Sequence, residues 1–194
     1  MRVIAGSAKG RPLKAPAGDA TRPTSDRVRE ATFASLGSLL GLGWEEDARV
    51  LDLFAGSGAL GIEALSRGAA HVTFVDHHRA SAAAIRSNVS ACGFGARSRI
   101  VTKDAFAWIG SPAPDDKPFE LAFCDPPYAF EAWDRLLGVL VRWTPLVVLE
   151  SDRDVAPGAG WDILRVKRHG TTVVSVVRTS SPDAAHSGPG QVES

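Results

Sequence analysis

The chain has 194 residues, of which 44% are hydrophobic and 23% charged, and its formal net charge is zero. This length suits one domain with a small extension, and this composition excludes general disorder. No apolar run reaches the roughly 20 residues that a membrane-spanning helix needs, and the N-terminus lacks a signal-peptide pattern. The two cysteines give neither a disulfide framework nor a metal-ligand spacing. We therefore expect a cytoplasmic monomer that binds no membrane and no metal.

The charges are unevenly distributed along this neutral chain. Residues 1–14 contain no acid and four cations, which are Arg2, Lys9, Arg11 and Lys14. Residues 161–179 carry Arg165, Lys167, Arg168 and Arg178 against the single acid Asp162. Two basic segments favour local contact with a polyanion, although an ordinary solvated surface is the alternative.

The order of predicted elements indicates an α/β fold. Residues 1–16 predict a two-stranded hairpin, and residues 21–40 predict a helix capped by Thr24 or Ser25. Further along, strands at 49–54, 71–76, 99–103, 120–125 and 145–151 alternate with helices at 59–67, 79–93 and 131–143. A hairpin at 161–180 turns near His169 and Gly170. Such alternation is typical of a mainly parallel sheet covered on both faces.

We accordingly predict a Rossmann-like, mainly parallel sheet of seven strands. The order 3-2-1-4-5-7-6 is what the family resemblance described below implies for these strands. Residues 1–20 form the N-terminal hairpin extension and residues 21–179 the main domain in this interpretation. Residues 180–194 are rich in Ser, Gly and Pro and predict a disordered tail.

A glycine pattern follows the first predicted strand. Gly56, Gly58 and Gly61 match G-x-G-x-x-G, and Asp76 ends the second strand 20 residues after Gly56. This pattern is typical of a nucleotide-binding turn, in which the acid accepts hydrogen bonds from a ribose. Asp52 lies inside the strand end, where a carboxylate would repel a pyrophosphate and suit an ammonium group. A ligand with an amino acid end, a ribose and a base satisfies both acids, which points to S-adenosylmethionine.

The third predicted strand leads into Asp104 and Ala105. The Asp104 carboxylate is placed to accept from an adenine amino group, while the N–H of Ala105 reaches a ring nitrogen. Alternatively, Asp104 is a helix N-cap, and the two roles are compatible. His77 and His78 follow Asp76 and contact either the ribose or solvent; two adjacent side chains make a poor metal site.

The fourth predicted strand ends at Asp125-Pro126-Pro127-Tyr128. Ligands of open α/β sheets bind outside the carboxyl ends of the strands, near the switch in strand order, so Asp125 should lie beside the cofactor. An exocyclic amine on a base is a poor nucleophile, and acceptors aimed at its hydrogens would stabilise the developing positive charge. The Asp125 carboxylate and the Pro126 carbonyl are candidates, with Tyr128 stacking on the base. The alternative is a plain strand-ending turn.

Taken together, these motifs resemble class I methyltransferases that modify exocyclic amines, and more closely the RsmD family, which makes N2-methylguanine in 16S rRNA. The resemblance runs over residues 1–178 and rests on 3–13, 22–33, 52–69, Asp76 and 125–128. It implies that the 125–128 segment holds the guanine amine and that the N-terminal hairpin contacts RNA. The cofactor pocket it implies is lined by Asp52, Phe54, Ala55, Gly56, Gly58, Asp76, His77, Asp104 and Ala105, and closed by Arg22 and Thr24.

Several alternatives remain at this point. An Asp-Pro-Pro-Tyr corner also suits a DNA adenine or protein glutamine methyltransferase, although no DNA-recognition domain or added helical domain is evident. A nucleotide-dependent dehydrogenase would leave this corner unexplained. A non-catalytic RNA-binding assembly factor would need no cofactor. The expected partner is 16S rRNA within a 30S subunit or an assembly intermediate.

Overall fold

The computed structural model describes residues 1–17, 25–41, 44, 47–111 and 119–180. The helices are α1 (Asp26–Leu40), α2 (Ala59–Ser66), α3 (Arg79–Ala91), α4 (Ala105–Ile109) and α5 (Trp133–Leu140). The strands are β1 (Arg49–Leu53), β2 (His71–Asp76), β3 (Ser98–Thr102), β4 (Leu121–Cys124), β5 (Leu146–Ser151), β6 (Trp161–His169) and β7 (Thr172–Thr179). Within these residues, no helix is long and apolar enough to cross a membrane.

The seven strands form one sheet in the order β3-β2-β1-β4-β5-β7-β6, which confirms the predicted topology. Strands β1 to β5 pair in parallel, and the hairpin of β6 and β7 adds two antiparallel strands next to β5. Two apolar clusters cover the two faces of the sheet. One contains side chains of α1, α2, α3 and the N-terminal segment, and the other contains side chains of α4 and α5.

Local signals set most element boundaries correctly. Ser25, one of the two predicted caps, caps α1 by accepting from the N–H of Val28 at 3.2 Å. Thr24, the other, lies outside the described residues. Helix α5 is shorter than predicted and ends before Trp143. The Trp143 indole turns inward instead, where it is buried and donates to the carbonyl of Ile109 at 2.9 Å. The predicted tail lies beyond the described residues, except for Ser180.

The N-terminal segment folds back on itself as the expected antiparallel hairpin, in a very short form. Its two halves meet at one β-bridge between Arg2 and Pro12, and the backbone N–H groups of Val3 and Leu13 donate across it to the carbonyls of Arg11 at 3.0 Å and Met1 at 3.1 Å. Its apolar residues are too few to support a longer ladder, so the segment depends on contacts with α1 and α2. The buried carboxylate of Glu63 in α2 accepts from the N–H groups of Ile4 at 2.7 Å and Ala5 at 3.0 Å.

Two arginines complete this docking. Arg67 donates to Glu63 at 2.7 Å, and the fully buried Arg29 of α1 donates to the carbonyl of Arg2 and to Asp26. Charges buried this deeply are retained only where they are paired and hydrogen-bonded. The N-terminal segment therefore forms one packed unit with α1 and α2.

The backbone at Gly6 lies so close to α2 that only glycine fits. A Cβ there would lie 1.8 Å from the carbonyl oxygen of Ser66, and the φ angle is +82°. We expect Gly6→Ala to undock the segment, with amide exchange at Ile4 and Ala5 accelerated by several orders of magnitude. Gly10→Ala is the matched control, because Gly10 has a φ of +84° and open space around its Cβ position. It should cost only the conformational penalty of about 1–2 kcal/mol. Equal destabilisation by both variants in thermal unfolding would contradict this account.

Candidate active site

A cleft of about 290 Å³ lies at the carboxyl ends of β1, β2, β4 and β5. Strand β1 sits between β2 and β4, so the chain order reverses at this point, where open α/β sheets bind their ligands. The cleft is lined by Met1, Ala15, Pro16, Asp52, Phe54, Ala55, Gly56, Ser57, Ala59, Leu60, Asp76, His77, His78, Ser81, Asp125, Pro126, Pro127, Tyr128 and Glu150.

Asp52 occupies the bottom of the cleft at the end of β1. It is 1% exposed, and its Oδ2 accepts from the N–H of Gly61 in the first turn of α2 at 2.9 Å. Burial raises the pKa of the Asp52 carboxyl well above its usual value, and the charges of Asp125 and Asp76 add to the rise, while the Gly61 N–H opposes it. A carboxylate thus holds a position at the helix start where a dinucleotide site would accommodate phosphate.

Asp76 closes the glycine turn onto β2. Its Oδ2 accepts from the N–H of Gly56 at 2.8 Å, and its Oδ1 accepts from the N–H of His78 at 2.8 Å. Each carboxylate oxygen keeps a further acceptor direction. The side chain is therefore rigid and still able to accept hydrogen bonds from a pair of ribose hydroxyls.

The turn between β1 and α2 is built from unusual backbone angles. Phe54, Gly56 and Gly58 all have positive φ, at 59°, 53° and 78°. For the non-glycine Phe54 this is a strained conformation of the kind that clusters at functional sites. Its ring is fixed edge-on against Phe130, with ring centroids 5.5 Å apart. Gly61 allows α2 to pack on β2, because a Cβ there would lie 2.4 Å from the Phe74 ring.

The Asp125-Pro126-Pro127-Tyr128 corner directly follows β4 and faces the same cleft. The Pro127 carbonyl accepts from the N–H of Phe130 at 2.8 Å, and the Tyr128 carbonyl accepts from Arg153 at 2.8 Å. Arg153, which the sequence did not single out, thereby ties the corner to the segment after β5. The Tyr128 ring is 43% exposed at the cleft mouth, where a base can stack on it.

Of the other predicted cofactor residues, some line the cleft and others do not. His77 lines the cleft and is mostly exposed. Asp104 is exposed and caps α4 by accepting from the N–H of Ala107 at 3.0 Å, which is the structural role weighed for it. Neither Asp104 nor Ala105 belongs to the lining of the cleft, so their contact with an adenine stays a prediction. Arg22 and Thr24 lie outside the described residues.

The sequence analysis missed the last acid of the cleft, Glu150. It is the fifth residue of β5 and is 6% exposed. The available signal was an acid in the otherwise apolar run Leu-Val-Val-Leu-Glu, at the same strand end as Asp52 in β1. Together with Asp52, Asp76 and Asp125 it gives the cleft four carboxyl groups. Within the described residues, no three His, Cys, Asp or Glu side chains group as ligands of one metal ion.

The N-terminal segment borders the cleft through both of its ends. Met1 and Pro16 line the cleft, while the four predicted RNA contacts, Arg2, Lys9, Arg11 and Lys14, are all exposed. Arg2 pairs with Asp26 at 3.8 Å, and the main chain of Lys14 is fixed by the Asn88 amide. These cations therefore lie on the exposed surface of a segment whose two ends border the cleft.

The pKa shift of Asp52 yields a pH-dependent stability prediction. A raised native pKa means that the ionised carboxylate destabilises the fold at neutral pH, and that this cost disappears as pH falls below the ordinary carboxyl range, where both states are protonated. Asp52→Asn keeps an acceptor for Gly61. We expect it to raise the Tm of the ligand-free protein at pH 7, by about 2–4 °C for each kcal/mol of cost removed.

The gain should shrink as pH is lowered towards about 4, near the ordinary carboxyl pKa. Differential scanning calorimetry across pH measures it, with the exposed Asp134→Asn as the control that gains nothing. A gain that is constant with pH, or a loss at pH 7, would refute the assigned cause.

Comparison with known proteins gives a consistent result. A protein-family model described as conserved hypothetical protein 95 matches residues 1–178. YlbH of Bacillus subtilis is 38% identical over 186 residues, covering 92% of this chain and 98% of that protein. A protein named ribosomal RNA small subunit methyltransferase D, from Haemophilus influenzae, is 30% identical and covers 88% of this chain and 89% of its own length.

Among solved structures, yhhF from Escherichia coli superposes with a TM-score of 0.77 at 31% identity, covering 93% of this chain and 98% of its own. The shared architecture is the Rossmann-like fold of class I methyltransferases. Since the family model spans nearly the whole described chain, the protein belongs to the conserved hypothetical protein 95 family, known as the RsmD family.

Proposed function

We propose that this protein transfers a methyl group from S-adenosylmethionine to the exocyclic N2 amine of a guanine in 16S rRNA. We further propose that the RNA is presented within a 30S subunit or an assembly intermediate, and that the enzyme acts as a cytoplasmic monomer. The named relative from Haemophilus influenzae supports the ribosomal RNA substrate. The observation that carries the proposal is a cleft in which four carboxyl groups meet the Asp-Pro-Pro-Tyr corner.

The charge of the cleft fits the cofactor. Asp52, Asp76, Asp125 and Glu150 line one small space, and Asp52 already holds a first-turn N–H of α2. Such a site attracts a cation and repels the pyrophosphate of a dinucleotide. When bound, S-adenosylmethionine supplies a methyl group on a positively charged sulfur, together with an ammonium group and a ribose.

The two acids on the cofactor side contact different parts of the ligand. Asp52 attracts the ammonium group through its charge, and Asp76 accepts hydrogen bonds from the ribose hydroxyls. The rigid glycine turn and the strained Phe54 keep the cleft shaped before any ligand enters. Asp104 and Ala105 extend the site towards the adenine in this proposal, with Arg22 and Thr24 closing it.

The Asp-Pro-Pro-Tyr corner acts on the nucleophile. The Asp125 carboxylate and the Pro126 carbonyl accept from the two amine hydrogens, which turns the nitrogen lone pair away from the ring and towards the methyl carbon. The nitrogen–carbon bond forms as the carbon–sulfur bond breaks, and the bonding pair stays on sulfur. The methylated amine is then acidic, and it loses a proton to water at the side where Asp125 lies.

The experiment uses tritiated S-adenosylmethionine and 30S subunits that lack the modification, followed by digestion to nucleosides. We expect label in N2-methylguanosine, and at least a 100-fold slower rate for Asp125→Ala, since about 3 kcal/mol of transition-state stabilisation is lost with such an acceptor. The exposed Asp134→Asn variant is the control and should keep the wild-type rate.

Other outcomes separate the alternatives. Label in N6-methyladenine of DNA, or in a protein glutamine, would replace the proposed acceptor. RNA binding that is unaffected by Asp125→Ala and by the cofactor, with no label at all, would indicate a non-catalytic assembly factor.

The basic N-terminal segment is proposed to hold the RNA backbone. Each phosphate contact releases counterions, so binding weakens with salt. We expect the triple variant Lys9→Ala, Arg11→Ala and Lys14→Ala to raise KM with little change in kcat and to flatten the salt dependence of RNA binding. The matched control replaces Arg79, Arg86 and Arg99 by alanine, which removes equal charge from exposed positions on α3 and β3. Equal effects of both triple variants would contradict the assignment.

A further inference from the structure

Glu150 is a nearly buried carboxyl group of the cleft that the steps above leave without a task. Its position follows from the register of the sheet. Leu149 of β5 pairs with Cys124 of β4, so Glu150, still within β5, lies level with Asp125, the first residue after β4. Neighbouring strands lie about 4.8 Å apart. The backbone positions that carry the two carboxyl groups are thus spaced on the scale of one edge of a base.

Both acids also belong to the same face of the sheet. Phe123 and Val148 are paired across β4 and β5 and both lie in the cluster that packs against α1 and α2. Side chains alternate along a strand, so Asp125 and Glu150, each two residues further on, are directed to that same face. Their joint presence in the cleft lining agrees with this direction.

The order of the strands divides the acids into two pairs. Along β2, β1, β4 and β5 the acids follow one another as Asp76, Asp52, Asp125 and Glu150. The cofactor uses the β2–β1 side through the glycine turn. The base that receives the methyl group must then approach from the β4–β5 side, where Asp125 holds its amine and Glu150 lies next in line.

We propose that Glu150 selects guanine by accepting the N1–H of the base while Asp125 accepts an N2–H. This inference rests on the proposed function. Guanine presents these two donors side by side on its Watson–Crick edge. Adenine presents an amine beside an unprotonated N1, whose lone pair faces a carboxylate unfavourably. A carboxylate has about four acceptor directions, so contacts within the protein are compatible with one to the base.

Burial strengthens this selection. An acceptor position of a buried carboxylate that loses its donor costs free energy, and sites built around a substrate N–H reject analogues that lack it. The 6% exposure of Glu150 means that water cannot easily replace the missing donor. The same carboxylate at the surface would discriminate far less.

The test uses 2-aminopurine, which keeps the amine at C2 and lacks the N1–H. The modified guanosine is first mapped by mass spectrometry, and 30S subunits are reconstituted with guanosine or 2-aminopurine at that position. We expect the wild-type kcat/KM to favour guanosine by about 100-fold, and Glu150→Gln to reduce the preference to about 10-fold or less, because the glutamine amide can donate to N1. Glu131→Gln is the matched control, since Glu131 is exposed and outside the cleft lining, and it should keep the wild-type preference.

Thermal unfolding and S-adenosylmethionine binding verify that each variant is folded. If Glu150→Gln does not fold, Glu150→Ala replaces it and should also lose the preference. A wild-type enzyme that accepts both bases equally would overturn the role of Glu150 and leave the proposed function intact. Equal loss of rate on both bases in Glu150→Gln would also overturn it. Absence of N2-methylguanosine with the wild-type enzyme would instead refute the proposed function.

Discussion

The hydrogen bond between the Asp52 carboxylate and the N–H of Gly61 constrains the whole site. It joins the end of β1 to the first turn of α2, and it puts negative charge where related folds bind a phosphate. The strained Phe54 and the left-handed Gly58 lie between its two partners, so the turn has little freedom to change shape. This bond fixes the Asp52 carboxylate in the cleft, and that carboxylate alone already favours a cationic ligand.

The parallel sheet then determines which acids line the cleft. Parallel strands end at one edge, so acids that are far apart in the chain meet there without any local motif. In the proposed function, Asp76 contacts the cofactor, and Asp125 and Glu150 contact the acceptor base. The buried Glu63 organises a second region, where the N-terminal segment docks on α2. The proposed catalytic cleft and the proposed RNA-contacting segment are thus both attached to α2, through Asp52 and Glu63.

The sequence predicted the features that have local signals. Alternating strands and helices predicted the mainly parallel sheet, and Ser25 and Asp104 occupy the caps that their residue types favour. The missed features depend on contacts distant in the chain. The importance of Glu150 is evident only once β4 lies beside β5. Arg153 has a role only because the segment after β5 passes the carbonyl of Tyr128. The shortness of the N-terminal hairpin has the same origin, since α2 and not a longer strand ladder satisfies the N–H groups of Ile4 and Ala5.

The most direct test of the central claim is calorimetric titration of the purified protein with S-adenosylmethionine and, separately, with NAD⁺. A cleft that contains four carboxyl groups, with Asp52 at the start of α2, should bind S-adenosylmethionine at one site per chain and give no heat of binding with NAD⁺. Saturable binding of NAD⁺, or no binding of S-adenosylmethionine, would contradict the account.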